Sequence, residues 1–161
     1  MNGNEKLWFR KPNKSDCHLL LKWANEEETR KQSFQTHYIT PEEHSRWFQN
    51  VLTDENVVLL ILCLGEAPIG NIRFVIDCRR ATLSYSIDHR YRERGFGREL
   101  IRMGLIYAEK ELAISEVRAE TKPGNIASQR VLLDNGFQMI KQMSGENKFV
   151  YSKAIRSSAI L

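Results

Sequence analysis

The chain has 161 residues, 42% apolar and 27% charged, with a formal net charge of +4 and a sequence pI near 9.0. This excludes a disordered or fibrous protein and points to one domain, residues 1–161, around one core. The longest apolar run, Val57 to Leu64, falls far short of the ~20 residues that a membrane-spanning helix needs. Charges run through Met1 to Lys14, so no secretory signal and a cytoplasmic location are expected. Three scattered cysteines (Cys17, Cys63, Cys78) and four scattered histidines show no ligand spacing, and no metal is expected. The mild positive balance suits an anionic ligand such as a nucleotide. Without a polybasic tail or a basic run with interleaved aromatics, it does not read as nucleic-acid binding.

In chain order, Lys6 to Arg10 reads as a short opening strand. Ser15 or Asp16 can cap a helix with Leu19, Leu20 and Trp23 on one face. Asn25 to Thr36 is charged and partly helical. Thr40, Pro41 and Glu43 form a capping-box signature, opening a helix whose apolar face is Trp47, Phe48, Val51 and Leu52. The period then changes. Val57–Leu64, Ile69–Asp77 and Ala81–Ile87 read as adjacent antiparallel strands. A basic loop, Arg90 to Gly97, leads into a helix with Leu100, Gly104, Tyr107, Ala108 and Leu112 as its buried stripe. Glu116–Thr121 is a strand, Asn125–Asn135 a helix stopped by Gly136, and Phe137–Gln142 and Lys148–Ala154 are closing strands. The fold class is α/β, a mixed and mostly antiparallel sheet flanked by helices. Pairing through the last strands offers a route to a homodimer.

The segment with most chemistry is Arg92-Glu93-Arg94-Gly95-Phe96-Gly97-Arg98, between a strand and a helix. Two glycines let backbone approach a ligand closely. The helix start presents unpaired N–H groups and the positive end of its dipole, an anion site to which three arginines add charge. It is neither a G-x-G-x-x-G dinucleotide fingerprint nor a P-loop. Its other reading is a tight turn with solvated arginines.

Arg92 to Gly97 resembles the R/Q-x-x-G-x-G/A motif of GNAT acetyltransferases. Ile87, Tyr91 and Leu100 stand where that family carries a valine, an aromatic and an apolar residue. Asn125-Ile126-Ala127-Ser128, ending in Gly136-Phe137, resembles the family's later N-x-x-S/A…G-F block. The resemblance covers about Ile69 to Ser152. It implies a GNAT-like fold whose fourth and fifth strands, Ala81–Ile87 and Glu116–Thr121, splay to admit the pantetheine arm of acetyl-CoA. It also implies backbone N–H groups near Ile87 for the pantetheine amides and the oxyanion. Pyrophosphate falls to Glu93–Arg98, with Arg92, Arg94, Gly95, Phe96, Gly97 and Arg98 binding cofactor. Asn125 serves the pantetheine arm as well as capping its helix. Ser128 lies near the thioester sulfur or is a small packing residue.

The implied reaction is attack of an amine on the thioester, which needs a base. Glu120 is the candidate, with a solvated strand-end carboxylate as its other reading. The tyrosine that usually protonates the leaving thiolate would fall at Leu132, so the general acid stays open among Ser128, Tyr107 and solvent. The N-terminal half, with Trp23-Ala24-Asn25, Arg30, Ser33-Phe34, Ile39-Thr40, Glu42-Glu43-His44 and Trp47-Phe48, resembles GNAT enzymes that acetylate nucleotide-linked deoxyamino sugars, with core packing as the other reading of Trp23, Phe34, Trp47 and Phe48. Arg30 and His37 are the candidate acceptor-side groups. A UDP-linked amino sugar is therefore the expected acceptor and partner. The alternatives are a ribosomal-protein-type N-terminal acetyltransferase and a non-catalytic acetyl-CoA-binding module.

Overall fold

The β-rich runs between the N-terminal helices and the glycine loop do become neighbouring strands. In the computed structural model, which describes residues 5–160, seven strands form one sheet in the order β1-β2-β3-β4-β5-β7-β6. They are β1 Leu7–Arg10, β2 Val57–Leu64, β3 Ala67–Asp77, β4 Arg80–Ile87, β5 Glu116–Thr121, β6 Gln138–Met143 and β7 Lys148–Ala154. Only β4 and β5 run parallel; the other neighbours are antiparallel. The expected fold class and splay are both present. Pairing between β4 and β5 spans Arg80–Leu83 against Glu116–Ala119 and then stops, leaving Ser84–Ile87 with no β5 partner.

The helices are α1 Asp16–Ala24, α2 Glu27–Gln32, α3 Pro41–Thr53, α4 Phe96–Glu111 and α5 Ile126–Asp134. They divide between the two faces of the sheet. Leu83 and Ile87 of β4 and Val117 and Ala119 of β5 join Leu100, Ile101, Leu105 and Ala108 of α4 in the main core. Gly104 permits this contact, because a Cβ there would stand 2.4 Å from Ile72 Cδ1. On the opposite face Leu20, Trp23, Phe48 and Val51 pack on Leu59, Ile61 and Cys63 of β2, a smaller cluster. β2 is thus covered on both sides, which explains its unbroken apolar run.

Several expectations need correction. Neither Ser15 nor Asp16 caps α1 by its side chain. The Asp16 carboxylate is instead taken by both guanidinium nitrogens of Arg10, at 2.7 and 2.8 Å, a bidentate pair that ties α1 to β1. Leu52 is exposed; His44, Phe48 and Val51, at i, i+4 and i+7, form the buried stripe of α3. Ile101 and Leu105 enter the α4 stripe, while Tyr107 is half-buried. The capping box at Thr40 forms in full, and Gly136 takes the left-handed conformation (φ +81°) after α5. No helix among the described residues is long and apolar enough to cross a membrane. The expectation about Met1 to Lys14 falls partly on residues 1–4, outside those described.

Candidate functional site

The site is built where β4 and β5 part. Asp88 N–H donates to Ile69 C=O, 2.8 Å, on the β3 side. Hydrogen bonds of an antiparallel pair alternate in direction. The Ile87 and Tyr85 backbone groups therefore turn the other way, into the gap. Ile87 C=O already accepts from Arg92 Nε at 3.0 Å, while its N–H remains directed at the opening.

At the end of that gap Gly95 caps α4 with φ +81°, a conformation suited to glycine. Phe96, Gly97 and Arg98 are the first three residues of α4, and their N–H groups have no intrahelical acceptor. Among the described residues no internal hydrogen bond takes up the N–H groups of Glu93 or Gly95 either. A Cβ at Gly97 would meet Tyr85 Cε2 at an ordinary 3.6 Å, so the chain itself does not demand glycine there. The room and the row of donors fit a diphosphate.

The arginines divide. Arg94 is exposed and lies over the Tyr91 and Phe96 rings, at 5.5 and 5.2 Å. Arg98 is exposed and only 4.0 Å from Asp134. Arg92 departs from the expectation of a free phosphate-side charge. Its guanidinium is held by Glu26, by Thr29 Oγ1 at 3.1 Å and by Ile87 C=O, so it fastens α2 to the loop. Beside it Asp88, almost fully buried, accepts from Trp23 Nε1 at 2.9 Å and from Arg90. The Arg90 guanidinium holds the Asp88 carboxyl well below the usual carboxylate range, against the opposing effect of burial. Glu26, Asp88 and His89 lie close enough to share a cation, but Arg92 and Arg90 already engage the two carboxylates.

On the main-core face of the gap, Asn125 caps α5 by accepting from Ser128 N–H at 3.2 Å. Ser128 Oγ accepts from the Tyr85 hydroxyl, also at 3.2 Å, which bridges β4 to α5 across the opening. Burial pushes the Tyr85 hydroxyl up, so it stays a donor, although the bond to Ser128 opposes the shift. Leu132, at the position of the expected tyrosine, is buried. Sequence reasoning treated Tyr85 only as strand core.

The other face holds a cavity of about 460 Å³. Its floor includes Asn71 and Arg73 of β3 and Ser84 and Ser86 of β4; α2, α3 and the loop between them supply Arg30, His37, His44 and Trp47. Arg30 and His37, named from sequence as acceptor-side groups, both line it. Arg73 was missed. Its Nε is enclosed without a hydrogen-bond partner, no carboxylate pairs with it among the described residues, and burial lowers its pKa. Its guanidinium lies 5.5 Å from the Trp47 ring centre. Glu120 follows the last paired residue of β5 as Ser84 follows that of β4, so strand alternation places both on the cavity face. Glu120 is exposed and paired with Lys148 at 3.1 Å, and that pairing pushes the Lys148 pKa up.

A family model described as an Acetyltransferase (GNAT) domain matches residues 6–138. No curated sequence is significantly similar to the chain. Among solved structures, a domain from Methanocaldococcus jannaschii superposes with a TM-score of 0.84 at 21% identity, over 94% of this chain and 100% of that one. Spermidine N-acetyltransferase from Vibrio cholerae, in complex with CoA and spermine, gives 0.83 at 17%, over 94% and 96%. The N-acetyltransferase PseH of Campylobacter jejuni gives 0.72 at 19%, over 92% and 97%. At these identities the superpositions speak for the fold, while the family match covers most of the chain. The chain belongs to the GNAT acetyltransferases, which move an acetyl group from acetyl-CoA to an amine.

Proposed function

We propose that this chain acetylates the primary amine of a nucleotide-linked deoxyamino sugar, with acetyl-CoA as donor. The observation that carries the choice of acceptor is the charge of the cavity beside the unpaired half of β4. Arg30 and Arg73 line it with no carboxylate partner. The acidic residue in its lining, Glu43, is bound to Thr40 in the cap of α3. Such a lining repels a polycation and suits an acceptor that carries phosphate.

The residues take the following parts in this reading. The N–H groups of Glu93 to Arg98 hold the diphosphate, with Arg94 and Arg98 as outer charges. Bound acetyl-CoA supplies the activated acyl group. Asn125 contacts the pantetheine arm while capping α5, and Ser128, oriented by Tyr85, stands by the sulfur. Glu120 removes the amine proton, exchanging its contact with Lys148 as the acceptor arrives. The Ile87 N–H faces the place where negative charge gathers on the acyl oxygen. Mass spectrometry of products from UDP-4-amino sugars, N-terminal peptides and polyamines tests the assignment. Acetylation of the sugars alone is expected. Acetylation of peptides instead would replace it with the protein-acetylating reading, and coenzyme A binding without any turnover would leave a binding module.

The homodimer remains part of this proposal. β6 is an exposed sheet edge carrying Met139 and Ile140, 43% and 51% exposed, and sedimentation in solution is its test.

A further inference from the structure

Arg73 occupies a position that folding alone does not favour. A guanidinium inside a packed protein is ordinarily paired with a carboxylate or hydrogen-bonded to carbonyls, because an unpaired buried charge loses its hydration without return. The half-buried Arg10, Arg92 and Arg118 follow that rule with carboxylates, and Arg30 with backbone carbonyls. Arg73 follows neither. The Trp47 ring lies against its guanidinium. His44 Nε2, also lining the cavity, is a second enclosed polar atom without a partner. The His44 and Trp47 ring centres are 5.1 Å apart, and His44, Trp47 and Arg73 all contribute to the cavity lining.

We propose that Arg73, with Trp47 fixing its guanidinium, is the subsite for a single anionic group carried by the acceptor, a phosphate or a carboxylate. The inference rests on the cavity being the acceptor site. Arg73 pairs across β3 and β4 with Ser84, and Glu120 stands one strand further on. One strand spacing to β4 and the wider gap where β5 parts from it put the Arg73 and Glu120 backbones at least about 10 Å apart. A sugar ring with its amine at one end and its phosphate at the other bridges such a span. Specificity then comes from a fixed separation between anion and amine, and an amine without the anion leaves Arg73 desolvated and unpaired.

The test uses the full chain saturated with coenzyme A, so that added anions do not report on the diphosphate loop. Titration calorimetry with UDP, inorganic phosphate and succinate separates a nucleotide, a bare phosphate and a carboxylate source. At least one should bind, and Arg73→Met should weaken it about 10- to 100-fold while the melting temperature holds or rises. In turnover, the ratio of kcat/KM for a phosphate-bearing amine over its dephosphorylated counterpart should fall by a similar factor, mainly through KM. Should Arg73→Met fail to fold, Arg73→Lys keeps the charge but loses the planar fork and should weaken the same anion several-fold. Anion affinity equal in wild type and variant, or no binding of any probe at millimolar concentration, overturns the subsite. Failure to acetylate any amine, with anion binding still dependent on Arg73, would overturn the acceptor reading and leave the subsite standing.

Discussion

The two faces of the sheet do different work and present themselves differently. The face under α4 and α5 is almost wholly apolar, and the chemistry proposed for its margin is that of backbone: the N–H groups of the loop before α4 and the Ile87 N–H. The face under α1, α2 and α3 has a smaller apolar cluster, and the chemistry proposed for it is that of side chains, Arg73 and Arg30 in the cavity lining and Glu120 on β5. Backbone chemistry tolerates substitution around it and needs only glycines and a helix start. Side-chain chemistry is free to change with the acceptor.

The sharpest way to break that contrast is Glu120→Gln. If the base stands on the acceptor face, kcat falls about 10²- to 10⁴-fold; a wild-type rate removes Glu120 from the reaction. On the other face, Gly104→Ala places a methyl 2.4 Å from Ile72 Cδ1. It should cost about 1–3 kcal/mol in urea denaturation, with little effect on the acceptor KM of the folded fraction.

Asp88 belongs to the seam between the faces. Replacing it by Asn should cost about 2 kcal/mol, because Arg90 and Trp23 lose a charged acceptor. The Asp88 carboxyl lies below its ordinary value, and Glu116 is held at about 2 by Arg118 and Arg80. A depressed acid stabilises the fold above its unfolded pKa and loses that contribution as pH falls through the folded one. Melting temperatures should therefore decline from about pH 4 downward, and less steeply in Asp88→Asn. A parallel decline in both proteins would assign acid lability elsewhere. The smallest effect is expected of Tyr85→Phe, which deletes the bond to Ser128: about 1 kcal/mol of stability and a several-fold change in kcat by steady-state assay. A loss as large as that of Glu120→Gln would make the Tyr85 hydroxyl a proton donor.

The same contrast explains what could be read from sequence. The strand and helix order, the capping box, the Gly136 stop and the glycine turn into α4 were legible because each is a local pattern. Of the cavity lining, Arg30 and His37 were named but Arg73 was not, because the lining is assembled from β3, β4, two helices and a loop. A signal for Arg73 did exist. Val57–Leu64 is continuous and apolar, so β2 had to be covered on both faces, and its neighbour β3 then carries Asn71 and Arg73 toward a covered face. Polar residues there are costly unless something binds them. The destination of Arg92 was hidden for another reason. Its partner Glu26 is 66 residues away, in a segment with no pattern beyond charge.

The contacts Trp23–Asp88 and Glu26–Arg92 bolt α1 and the start of α2 to the loop that leads into α4. Anyone grafting a foreign segment in place of residues 24–44 to change substrate choice would keep the Trp23 anchor but remove the Glu26 bolt. A successful transplant has to bring an acid at that position. Without one, the loop leading into α4 would slacken even though none of its own residues had been altered.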